Sequence, residues 1–149
     1  MAAVDWLRFE PDKEAGQLHI EILIGRLIEL QPRTNEATDE FCQDLYPVLD
    51  QLTQLCLDHN LVQVCSVNME GIQVKKIRPL IMVRLIWNIY EHTKNCILLQ
   101  KCELSGGSPF FTTLVEAVKN LLPPFMRNMI TLNPTSQNIE EEVVVEYED

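Results

Sequence analysis

An apolar stretch beginning at Pro79 constrains this chain more than any other feature. Leu80, Ile81, Met82, Val83, Leu85, Ile86, Trp87, Ile89 and Tyr90 leave only Arg84, Asn88, Glu91 and Asn95 as a narrow polar stripe. Wound as a helix, these residues are apolar around nearly the whole circumference. Such a helix is either central in a core or covered by a partner. Pro79 suits the first helical turn, where its missing N–H is not needed. The helix is expected to run to about Leu104, where Ser105-Gly106-Gly107 stops it. A chain of 149 residues supplies about one domain of core in which to hide it. Where that core falls short, Ile81, Leu85 and Trp87 become contacts for a partner protein or a second copy of the chain.

The flanking segments read mostly as helix. Ile20, Leu23, Ile24, Leu27 and Ile28 repeat at helical spacing up to Pro32, although Leu18-His19-Ile20-Glu21-Ile22 also alternates like a strand. Phe41, Leu45, Val48, Leu49, Leu52, Leu55 and Cys56 form one apolar face of a second helix. Pro47 falls on its polar side and is expected to kink or split it. Val62 and Val64, then Asn68-Met69-Glu70-Gly71, then Ile72 and Val74 read as a short β-hairpin. Ser108-Pro109 is a helix start, with Ser as N-cap and Pro at the first position. Phe110, Phe111, Leu114, Val115, Val118, Leu121 and Leu122 give that helix its apolar face, and Pro123-Pro124 end it. The expected architecture is a mostly α, single-domain bundle of four or five helices with one hairpin over residues 1–133, followed by a flexible acidic tail over 134–149.

Charge is distributed in blocks. Residues 34–74 carry acids and no Lys or Arg, residues 75–101 are mainly basic, and the last ten residues hold acids alone. The net charge of −10 argues against direct nucleic-acid binding, which needs a basic face. The basic Lys75-Lys76-x-Arg78 cluster reads as a solvated end of the hairpin. No apolar run reaches the ~20 residues of a membrane span, so no membrane insertion is expected. The first six residues hold neither a basic region nor an apolar core, so no secretory signal is expected. Five cysteines are an odd set for a disulfide framework. Together these readings predict a reducing compartment, cytoplasm or nucleus, with the thiols free.

No glycine-rich phosphate loop, nucleophile elbow or His-Glu-x-x-His motif is present. One group has metal-like spacing: Cys56-x-x-His59 with His92-x-x-x-Cys96. Each pair projects from one side of its own helix, and two such helices side by side would offer zinc two thiolates and two imidazoles. Against that, Cys56 belongs to an apolar stripe and His59 suits a helix C-terminus. The tail Glu140-Glu141-Glu142-Val143-Val144-Val145-Glu146-Tyr147 puts three β-branched residues between acids. This pattern resembles the motifs that bind the small ubiquitin-like modifier. The resemblance implies strand addition through Val143, Val144, Val145 and Tyr147.

The functional expectation is a non-enzymatic interaction module, an adaptor or assembly subunit that uses apolar helix faces and the acidic tail. Two alternatives stand beside it: a small zinc-stabilised regulatory module, and an enzyme whose residues converge only in three dimensions. No other cofactor is expected.

Overall fold

A computed structural model describes residues 4–133. Strand β1 (Leu7–Asp12) turns back through Gly16, which sits at φ 68°, into the antiparallel strand β2 (Gln17–Ile22). Helices α1 (Ile24–Leu30) and α2 (Asn35–His59) then lead to β3 (Val62–Asn68). A short 3-10 turn at Val74–Lys76 and helix α3 (Pro79–Thr93) precede β4 (Leu99–Ser105). Helices α4 (Pro109–Lys119) and α5 (Pro124–Arg127) precede β5 (Ile130–Asn133).

The five strands lie in one sheet in the order β1-β2-β3-β4-β5, with β2, β3, β4 and β5 mutually parallel. Each parallel step uses a helical crossover, and such crossovers are right-handed. Because the strands advance in one direction across the sheet, right-handed crossovers stack every helix on the same face. The alternation in Gln17–Ile22 follows from this: Leu18 and Ile20 are buried, while His19 and Glu21 face water. Arg8, Glu10, Ser66 and Lys101 continue the polar outer face.

This architecture corrects the expected α-bundle: the chain is α/β, with a mixed five-stranded sheet. The segment Leu18–Ile22 is strand rather than the start of a helix, and α1 begins only at Ile24. The β-hairpin is also corrected. After Asn68 the chain turns through Gly71, at φ 77°, into the 3-10 turn, and β4 takes the place beside β3. The helix from Pro79 stops at Thr93, and Leu99–Ser105 is a strand. There the ladder shifts register: Gln63 pairs with Leu99, but Val64 pairs with Lys101, leaving Gln100 as an extra residue. That bulge resets the alternation. Leu99 and Cys102, three residues apart, therefore both face the helices, and their spacing imitates one face of a helix.

The cap expected at Ser108 is present: Ser108 caps α4 by accepting from the Phe111 N–H at 3.1 Å. Thr34 caps α2 in the same way, accepting from the Ala37 N–H at 3.0 Å. Asn60, at φ 56°, closes α2 in the left-handed conformation favoured at helix C-termini. Pro47 does not split α2, which is one helix across it. The acidic and basic blocks meet where α2 packs on α3. Asp39 accepts from Arg84 at 2.7 and 3.0 Å and from Asn88 at 2.9 Å, and Asp50 pairs with His92 at 2.8 Å. The buried Gln31 amide ties the loop after α1 to the chain entering α3. It donates to the Lys76 carbonyl at 2.6 Å and accepts from the Arg78 N–H at 3.1 Å.

Candidate functional site

The helices do not close tightly on the sheet. Between them lies a chamber of about 320 Å³, walled almost wholly by carbon. Its floor is Ile20 and Ile22 of β2, Cys65 and Val67 of β3, Leu99, Cys102 and Leu104 of β4, and Ile130 of β5. Leu45, Leu49 and Leu52 of α2, Met82, Leu85 and Ile86 of α3, and Leu114, Val115 and Val118 of α4 form walls and roof. The buried core is divided into two clusters, one around Leu18, Leu52 and Cys65 and the other around Trp6, Leu45 and Leu85. Members of both line the chamber.

Protein interiors seldom hold voids larger than a water molecule. This space is larger than such voids and opens to solvent on one side. Ligand pockets begin at about 300 Å³ and are mainly apolar, so the size and chemistry of the chamber are those of a binding site. Lys119 is the one charged residue of its lining among the described residues. Its side chain is 24% exposed and its Nζ lies 3.9 Å from Glu116, which marks the side where the chamber meets water.

The Gln63 side chain and two thiols interrupt the carbon floor. Cys65 and Cys102 face each other across the β3–β4 pair. The neighbouring Cys102 thiol, together with burial, pushes the Cys65 thiol up, while Cys65 pulls the Cys102 thiol down. Elsewhere burial raises Cys42 and Cys56. All five cysteines are unpaired.

The residues singled out in the sequence are distributed differently from this site. Ile81 and Leu85 are buried in the chain's own core, and Leu85 lines the chamber. Trp87 donates its indole N–H to the Leu121 carbonyl at 2.6 Å and meets Tyr90 edge-on, tying α3 to the end of α4. Val143, Val144, Val145 and Tyr147 lie outside the described residues. The Cys56, His59, His92 and Cys96 set is not gathered. Cys56 is buried and Cys96 exposed, and His92 stacks on Tyr46 with ring centroids 4.1 Å apart while bonding Asp50. Among the described residues, no group of three or more His, Cys, Asp or Glu is placed to hold a metal ion. No helix among them is long and apolar enough to cross a membrane. The chamber itself was not foreseen. Its one advance signal is the surplus of apolar side chains on α3, which roof a cavity as well as fill a core.

The fold and chamber define an α/β domain with a one-sided sheet and an apolar interior site. No protein-family model matches the chain, and no curated protein matches its sequence. Among solved structures its fold is similar to that of Sfh5, with a TM-score of 0.52 and 11% sequence identity. The match covers 87% of this chain and 47% of the Sfh5 chain, so this chain spans about half the length of Sfh5. The likeness is one of fold, and it agrees with the α/β architecture.

Proposed function

We propose that this protein is a non-enzymatic binding module whose ligand is an aliphatic small molecule held between the sheet and helices α3 and α4. The single observation that carries this reading is the 320 Å³ carbon-lined chamber. An apolar cavity of ~150 Å³ takes up benzene, so one about twice as large suits a chain of roughly a dozen carbons. Lys119 at its edge suits an anionic end group such as a carboxylate. The test is titration of the purified protein with a fluorescent polyene fatty acid, followed by displacement with unlabelled dodecanoate. One saturable site is expected. At about 100 times its dissociation constant the ligand adds ~2.7 kcal/mol to the folded state, raising Tm by about 5–10 °C. Unsaturable fluorescence with an unchanged Tm refutes the reading.

A protein-interaction role is the second reading. Leu80 at the start of α3 is 72% exposed and Phe110 at the start of α4 59%, and Leu121 and Phe125 are exposed in the segment after α4. Self-association through such side chains would appear in light scattering at micromolar concentration, and a strict monomer would count against it.

A further inference from the structure

Cys65 and Cys102 are register partners on the parallel strands β3 and β4, so their side chains leave the sheet on the same face, and both line the chamber. Neighbouring strands run about 4.7–4.9 Å apart, within the ~4.4–6.8 Å range of Cα separations that a disulfide bridges. The ladder bonds of this strand pair hold this spacing, so the two side chains leave the sheet side by side. The remaining cysteines lack such an arrangement. Cys42 and Cys56 are buried on α2, and neither they nor the exposed Cys96 belong to the chamber wall.

We propose that Cys65 and Cys102 form an oxidisable dithiol in the chamber floor: peroxide entering the ligand-free chamber converts it to an inter-strand disulfide, and a bound aliphatic ligand shields it. The shielding rests on the ligand-binding reading above, whereas the disulfide does not. The Cys102 thiolate attacks one oxygen of hydrogen peroxide. The O–O bond breaks, and the departing hydroxide takes up the proton released by the thiol to become water. Cys102 is left as a sulfenic acid. The Cys65 sulfur then attacks the Cys102 sulfur, the S–O bond breaks, and the hydroxyl leaves with the Cys65 proton as a second water. Two thiols lose two electrons and two protons, and one peroxide becomes two waters. Cys102 is the attacking sulfur because it is the less buried of the two. Closure draws the sulfurs to ~2.05 Å, so it reshapes the floor of the chamber.

The experiment treats the whole reduced protein with hydrogen peroxide, with and without the polyene fatty acid at about ten times its dissociation constant. Free thiols are then alkylated and the digest is mapped by mass spectrometry without reductant. A dithiothreitol-sensitive peptide linking Cys65 to Cys102 is expected, forming about tenfold more slowly with ligand present, in proportion to the unoccupied fraction. Cys102→Ser abolishes the link. A cooperative urea transition and an unchanged far-UV circular dichroism spectrum show that the Cys102→Ser variant is folded. A Cys56–Cys96 link as the main product overturns the assignment. So does oxidation confined to Cys96 with Cys65 and Cys102 still alkylated. Equal cross-linking rates in probe-saturated and free protein overturn the shielding alone. Absence of probe binding, read by fluorescence, overturns the ligand reading and the shielding together, while the presence of the link still decides the dithiol.

Discussion

Val115→Phe tests whether the chamber is real space. Val115 lies on α4 and faces the chamber, and Val and Phe have nearly equal helix propensities, so the substitution reports packing rather than helix stability. Phenylalanine adds four carbons to the side chain. At ~0.8 kcal/mol for each buried methylene-sized group, they contribute about 3 kcal/mol. In a filled core that benefit would be consumed by the ~1–3 kcal/mol strain of overpacking. Beside 320 Å³ of empty volume most of the strain disappears. A net stabilisation of about 1–2 kcal/mol is expected, or roughly 3–6 °C in Tm for a domain of this size. The same ring occupies ligand space, so affinity for the polyene fatty acid falls by about tenfold or more, the equivalent of losing ~1.4 kcal/mol of binding. Urea denaturation and probe titration on one preparation measure both effects. Destabilisation by more than about 1 kcal/mol with unchanged probe binding would show that side chains already fill this region. Every argument built on the chamber would then fall.

Three further outcomes are expected. Gln31→Leu deprives the Arg78 N–H and the Lys76 carbonyl of their partner, and urea denaturation should show a loss of about 1–3 kcal/mol; a neutral change would mean that water reaches both groups. Gly107→Ala drives a Cβ into the Phe111 ring, so stability should fall by about 1–3 kcal/mol. Probe affinity should fall with it as the ring is displaced into the chamber, and an unchanged protein on both measures would refute the contact. Hydrogen bonds from Arg84 and then Asn88 hold the Asp39 carboxyl below its usual range. Its contribution to stability is therefore full above the ordinary carboxylate pKa of ~4 and is lost as pH falls through the lowered folded value. Asp39→Asn should flatten the stability profile between about pH 5 and pH 2, and a parallel profile would assign that acid sensitivity to other groups.

Features carried by a few neighbouring residues were legible in the sequence. Ser108 and Pro109 start a helix by local hydrogen bonding and fixed φ, and the seven-residue apolar face from Phe41 to Cys56 marks α2 without reference to anything distant. The apolar run from Pro79 announced a helix, although only Ile81 and Leu85 of α3 are buried. What covers it was not legible. A parallel sheet is paired through residues far apart in sequence: β2 meets β3 only after the two helices α1 and α2, and β4 meets β3 only after α3. No local period records those partnerships. Where a strand had a local signal, competing signals concealed it: Leu18–Ile22 runs into the helical spacing of α1, and the bulge at Gln100 gives Leu99 and Cys102 a helical interval. The edge strand β1 was missed because Pro11 interrupts it, which only the unpaired side of an edge strand accommodates. The chamber belongs wholly to tertiary structure. A cavity is a property of how layers are spaced, and Ile20, Cys102 and Val118 become neighbours only when three crossovers of one hand stack the helices on one side of the sheet.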